Sequence, residues 1–251
     1  MRLFRFLPTL AILVLVPAIH AETTVSSIIG DNMVLQRNAP VVLWGWDDAG
    51  TKVTVAIGDS SANATAADDG SWSVSLPAMK AGGPHAIAIS GSSTLNIKNV
   101  LVGEVWFCSG QSNMEWTVGR SNNAEKEIAS ATHPTIRHIK VPHQTAAKPQ
   151  STTKTQGWTE TTPKTVGNYT GVGYFFALNL QKELGVPVGL IGCNWGGTRI
   201  EPWTPPVGFQ SVPALKDISD NLANFPTTNA NGQVQHQTPL AIYNAMVHPI
   251  L

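Results

Sequence analysis

Cysteine and charge are both scarce in this chain. Its 251 residues include two cysteines and 13 % charged side chains. Two cysteines with no ordered histidine spacing cannot build a zinc site, so no metal is expected. Cys108 and Cys193 each end an apolar, strand-like run just ahead of a glycine-bearing turn. They read as small buried core residues, although export would also permit a bridge between them. Neither sign of charge is in excess, because 16 Lys plus Arg balance 16 Asp plus Glu. With no basic run, the chain lacks the electrostatic footprint of a nucleic-acid binder and a polybasic patch for an anionic membrane. The apolar run Leu10 to Val16 falls short of the ~20 residues a bilayer span needs, so no stable membrane anchor is expected. Instead, Arg2 and Arg5 precede that run and small Ala18 and Ala21 follow it. That is the three-part layout of a secretory signal peptide over residues 1–21, cut after Ala21, and it predicts a secreted or periplasmic protein. No cysteine near the cut suggests a lipid anchor.

Apolar residues make up 42 % of the chain and there are eight tryptophans. That is enough for a buried core, and it supplies flat rings that also suit sugars. Residues 22–100 read as all-β. Val41 to Trp46 is an apolar run stopped by Asp47, Asp48 and Gly50, and Lys52 to Ile57 alternates as a half-buried strand does. Ser71 to Leu76 puts Trp72, Val74 and Leu76 on one side, and His85 to Ser90 does the same with Ile87 and Ile89. A last strand runs from Thr94 to Val100. Short strands with turns at this spacing predict a small sandwich-like domain with a scaffold or sugar-binding role.

Residues 101–251 change character. Val100 to Cys108 and Val186 to Cys193 are nearly continuous apolar runs, as strands buried on both faces of a parallel sheet are. Between them lie a helix around Asn123 to Ala131, a strand from Ile136 to Val141, a polar surface loop from Lys148 to Lys164, and a helix from Gly173 to Leu184. In that second helix Phe176, Leu180 and Leu184 are spaced as a buried face, and Gly185 marks the stop. Residues 204–239 read as an irregular excursion, and Leu240 to Met246 as a short helix. Strand, helix, strand in this order is an α/β pattern with about three parallel strands, fewer than a complete sheet. The apolar ending at Leu251 fits a chain cut inside its catalytic domain.

Two turns carry the chemistry. Gly110-Gln111-Ser112-Asn113-Met114 follows the first buried run, which puts Ser112 at the carboxyl edge of a strand, where open α/β sheets bind ligands. Its hydroxyl and its own N–H can then face one space, the geometry of a nucleophile that also stabilises an oxyanion. The pattern differs from the Gly-x-Ser-x-Gly elbow, since Met114 replaces the second glycine. Asn194-Trp195-Gly196-Gly197-Thr198 follows the other buried run, and its paired glycines let backbone amides approach a ligand.

Glu104 to Met114 resembles the first block of the sialate O-acetylesterase family of SGNH hydrolases, and Asn194 to Trp203 resembles its second block. Tyr243 to Met246 with Pro249 resembles the approach to the third, while Asp31 to Gln36 and Asp69 to Trp72 resemble the family's N-terminal β-domain. The resemblance implies an α/β SGNH-like parallel sheet, incomplete here, preceded by the β-domain. It implies Ser112 as nucleophile, and an oxyanion hole from the N–H of Ser112 with Gly196 or Gly197, Gly196 being preferred. Asn113, Asn194, Arg199, Glu201 and Trp203 would shape the pocket for acetylated sialic acid or another acetylated carbohydrate, with no cofactor. The family draws its catalytic Asp and His from late in the chain, and no Asp-x-x-His stands in this sequence. His85, His133, His138, His143, His236 and His248 read as surface or core residues. Two alternatives stay open: an acetylesterase of the same fold acting on xylan or related glycans, and a non-catalytic secreted sugar-binding protein.

Overall fold

The computed structural model describes residues 22–251, so the signal-peptide expectation lies outside the described residues. The chain opens with β1 (Thr24–Val25), β2 (Val34–Gln36), β3 (Val41–Trp46), β4 (Lys52–Ile57), β5 (Ser60–Thr65), β6 (Ser71–Leu76) and β7 (Gly82–Ser90). The long β8 (Thr94–Gly110) leads into α1 (Ser112–Glu115), α2 (Ala124–Ser130), β9 (His133–Lys140) and β10 (Thr159–Thr161). Then come α3 (Gly171–Leu184), β11 (Val188–Asn194) and the short α4 (Pro206–Gln210) and α5 (Lys216–Ser219).

Strands β1, β3 and β6 form a small antiparallel sheet, and the larger sheet runs β10-β9-β11-β8-β7-β4-β5, with β2 beside β8. Alternation explains how the two layers meet. Leu43, Trp72, Val74 and Leu76 from the small sheet bury against Val53, Val55, Ile87 and Ile89 from the large one. The expected sandwich-like layer and the α/β part are both present, but they share β8. One 17-residue strand passes through residue 100, where the sequence suggested two separate strands. Its first half pairs antiparallel with β7 and its second half parallel with β11. Arg137 ties the same junction together. Buried in β9, it donates to the carbonyls of Asn32 (2.9 Å) and Asn99 (2.7 Å) and lies 3.3 Å from the Glu160 carboxylate.

Strands β9, β11 and β8 are mutually parallel. Helix α3 covers one face of them, starting at the Thr170 side-chain cap and stopping at Gly185, whose φ of 65° suits a residue without Cβ. The face α3 buries differs from the one its spacing suggested. Phe176 and Leu184 are 40 % and 44 % exposed, whereas Tyr174 and Ala177 are fully buried. Gly173 sets this rotation, because it sits where a Cβ would come within 2.9 Å of Cys108 Sγ, so the helix lies close to the sheet on its small-residue side. Phe176 packs edge-on to Trp106 instead, at 4.8 Å. Residues 148–164 are not wholly a surface loop. Trp158 is buried, its indole N–H donating to the Ile28 carbonyl at 2.8 Å, and β10 closes the sheet edge. The short helix near the end is a π-helix over Tyr243–Val247. Among the described residues no helix is long and apolar enough to cross a membrane.

Cys108 and Cys193 are free and buried. Cys193 lies opposite Ser109 on the neighbouring strand, so alternation sends the two thiols to opposite faces, Cys108 towards α3 and Cys193 towards the other core. Burial pushes the Cys108 thiol up to about 11 and the Cys193 thiol up to about 12, the latter eased by Lys140. Both thiols are therefore expected to resist a thiol-specific reagent at pH 8 in the folded protein and to react fully once it is unfolded, as a spectrophotometric thiol titration would read.

Candidate active site

The two glycine-bearing turns meet at the carboxyl ends of β8 and β11. Gly110 closes β8 with a φ of 145°, and its carbonyl accepts the Trp195 N–H at 3.0 Å, binding one turn to the other. Ser112 begins α1 and is exposed to solvent. A Cβ built on Gly196 would lie 2.8 Å from Glu115 Oε2, and at ordinary contact distance, 3.5 and 3.6 Å, from Ser112 Cα and Cβ, so the second turn lies against the nucleophile turn and the absent side chain leaves room for the Glu115 carboxylate.

The donors around Ser112 converge on one point. Gln111 Oε1 accepts the Ser112 N–H at 3.4 Å, the Ser112 hydroxyl at 3.2 Å and the Gly197 N–H at 3.4 Å. These are long, weak bonds to a carbonyl oxygen. Two backbone amides and a hydroxyl thus aim at a spot that an sp² oxygen already fills. The adjoining amide has another partner: Gly196 N–H donates to Glu115 Oε2 at 2.7 Å. Glu115 Oε1 pairs in turn with His143 Nε2 at 2.6 Å, and that nitrogen also lies 3.1 Å from the Asn194 carbonyl. The His143 ring stacks on Trp195 at 4.3 Å, and Trp195 stacks on His236 at 5.0 Å.

The remaining expected residues divide. Asn194 is buried, donating to the Cys108 carbonyl at 3.2 Å and accepting from Lys140 Nζ, so it ties neighbouring strand ends together while also lining the cavity beside Glu115. Burial holds the Lys140 ammonium below its ordinary range, with Glu115 opposing. Trp203 donates to Thr198 Oγ1 at 2.9 Å, and Thr198 Oγ1 donates to the Trp195 carbonyl at 2.7 Å, so Trp203 braces the Gly-Gly turn from behind. Glu201 meets this region through its backbone, accepting the Leu240 N–H at 3.2 Å. Asn113 and Arg199 are exposed. The Arg199 N–H donates to Gln237 Oε1 at 3.0 Å, and Gln237 Nε2 donates to the Gly197 carbonyl at 2.8 Å.

Sequence reasoning passed over Gln111, Glu115 and Gln237, and read His143 as a surface or core residue. Gln111 and Glu115 flank the nucleophile motif and were there to be found. His143 and Gln237 sit in loops with no pattern, and only the fold brings them to the site.

The family model for carbohydrate esterases described as sialic acid-specific acetylesterase matches residues 102–228, which hold both turns. Human sialate O-acetylesterase is 31 % identical over 245 residues, covering 90 % of this chain and 45 % of that protein. The sialate O-acetylesterase of Mus musculus is 29 % identical over 266 residues, covering 90 % of this chain and 49 % of that protein. The crystal structure of a carbohydrate acetylesterase from Xanthomonas citri superposes with a TM-score of 0.78 at 33 % identity, covering 91 % of this chain and 48 % of that one. The chain spans about half the length of the curated relatives it matches. It belongs to the sialic acid-specific acetylesterase family of carbohydrate esterases.

Proposed function

We propose that this chain carries the nucleophile and oxyanion half of a serine carbohydrate O-acetylesterase, acting on O-acetyl esters of sialic acid or a related sugar outside the cytoplasm after loss of residues 1–21. Ser112 Oγ attacks the acetyl carbon, and the carbonyl π-bond opens to a tetrahedral oxyanion. Collapse breaks the bond to the sugar oxygen, which leaves with a proton as the free alcohol. The acetyl-serine formed is then hydrolysed by water to acetate. The convergence of Ser112 N–H, its hydroxyl and Gly197 N–H on Gln111 Oε1 is the observation that carries this reading. A substrate carbonyl oxygen takes that place when Gln111 swings aside, and each of the two amides, Ser112 N–H and Gly197 N–H, contributes about 3 kcal/mol to the transition state while the hydroxyl gives its proton up as it attacks.

Gly197, rather than the Gly196 preferred from sequence, is the second donor in this proposal, because the Gly196 amide is held by Glu115. Glu115, hydrogen-bonded to both His143 and the Gly196 N–H, acts as the clamp that keeps the second turn in register. Asn113 and Arg199, both exposed, remain the proposed contacts to the sugar from the sequence set.

Incubation with a serine-directed fluorophosphonate tests the assignment. A single adduct on Ser112 by mass spectrometry, absent from the Ser112→Ala variant, is expected. An adduct found elsewhere, or one of equal yield in the variant, rejects it.

A further inference from the structure

The loop from 227 to 237 walls a cavity of about 530 Å³ that none of the sequence motifs accounts for. That loop is pinned in place. Thr228 bridges to Val234, and the Asn229 side-chain carbonyl accepts the N–H groups of Asn231 at 2.9 Å and Gln233 at 3.0 Å. The Thr145 hydroxyl donates to the Val234 carbonyl at 3.1 Å. Gln237 joins the cavity to the active site, because it lines the wall and donates to the Gly197 carbonyl at 2.8 Å. The lining is uncharged in an unusual way. Among the described residues no Lys, Arg, Asp or Glu lines it, while Asn229, Gln233, Gln235 and Gln237 all carry primary amides. Its flat element is His236, exposed and stacked on Trp195 at 5.0 Å and 12°, with Trp195 itself stacked on His143. The Gln235 amide and the His236 ring nitrogens bond nothing else in the chain among the described residues. An amide offers a donor and an acceptor side by side, as neighbouring sugar hydroxyls need, and a ring offers the flat face that a pyranose covers with its C–H groups. An ion would find no countercharge here. The size suits a sugar ring.

We propose that this cavity is a subsite for a neutral pyranose, with His236 as its stacking platform and Gln235 as its main hydroxyl contact. On the esterase reading, on which this placement rests, that ring is the neighbour of the acetylated sugar whose ester lies at Ser112. The acetyl group removed is then one carried on a glycan chain, and a free acetylated monosaccharide leaves the subsite empty. Gln237 couples the two places, since it walls one and holds the Gly197 turn of the other.

Titration of the Ser112→Ala protein with lactose and with xylobiose, followed by ¹H–¹⁵N NMR, tests it, with glucuronic acid and glycerol as comparators. At least one of the two neutral disaccharides is expected to bind with a Kd of about 1 mM, moving the Trp195 indole N–H and the Gln235 side-chain amide. Glycerol is expected to move neither, and glucuronic acid to bind more weakly. Gln235→Ala and His236→Ala, both at exposed positions, are each expected to weaken binding about fivefold, while Lys182→Ala on α3 leaves it unchanged. Binding by neither disaccharide overturns the proposal, as do shifts confined to residues away from this cavity. Glycerol producing the same shifts, or glucuronic acid binding more tightly than both disaccharides, overturns it too. So does full affinity in both the Gln235 and His236 variants. The fluorophosphonate adduct on Ser112 reads the esterase assignment independently, so failure of the sugar site leaves that assignment standing, and binding without an adduct leaves the sugar site standing.

Discussion

Assayed alone, this chain is expected to hydrolyse an aryl acetate at least about 10⁴-fold more slowly than the Xanthomonas citri carbohydrate acetylesterase measured beside it. A serine hydroxyl attacks at neutral pH only if a base takes its proton as the bond forms. The hydrogen bond that Ser112 Oγ makes among the described residues runs to Gln111 Oε1, an amide oxygen that cannot hold that proton. His143 lies in the same network, but its Nε2 is committed to Glu115 and the Asn194 carbonyl, and its ring is pinned flat against Trp195. What remains is oxyanion stabilisation, which in other serine hydrolases sustains only a residue of the rate. Turnover within tenfold of the comparison enzyme would mean that His143, or another group, reaches Ser112 after all. A further loss in His143→Ala would then identify that base.

The largest stability effect is expected at Gly103. A Cβ there would fall 2.0 Å from the Pro187 carbonyl oxygen and 2.6 Å from its carbon, and both are backbone atoms. That carbonyl also accepts the Glu104 N–H at 2.9 Å, so it cannot retreat without releasing the start of the β8–β11 pairing. Gly103→Ala is therefore expected to cost at least about 3 kcal/mol, lowering the melting temperature by roughly 6–12 °C in a calorimetric or circular-dichroism melt. Gly197→Ala is a useful contrast. Nothing lies within 4 Å of a Cβ there, so only its positive φ of 78° is strained, at a cost of about 1–2 kcal/mol. A melting temperature unchanged in Gly103→Ala would mean that β8 and β11 are not packed as described.

The legible parts of the fold were those where one face is buried and one is wet. The strands at Lys52–Ile57 and Ser71–Leu76 have the bounds their alternation predicts, and Val41–Trp46 the bounds of its apolar run. β5 escaped because Ser60–Thr65 is an edge strand whose core-facing residues beyond Ser60 are only Ala62 and Ala64, too small to mark an apolar face against Ser61, Asn63 and Thr65. Helix α3 was legible as a helix, but its orientation was not, since Gly171 and Gly173 bury a face through lack of bulk and leave no apolar mark. At the site, the two turns announced themselves through glycine and their position after buried strands. The division of labour between Gly196 and Gly197 depends on where Glu115 reaches across from the other turn.

Strand β8 has a consequence for anyone wishing to take the protein apart. At about 3.3 Å per residue, its 17 residues span at most roughly 56 Å, bulged at the left-handed Asn99 and laced to β7 at one end and to β11 at the other. Hinge bending between the two ends would shear a hydrogen-bonded ladder instead of flexing a linker. A chimera joined at residue 100 would place its seam in mid-ladder, so exchange of the N-terminal layer between relatives calls for a junction before Thr94 or beyond the nucleophile turn.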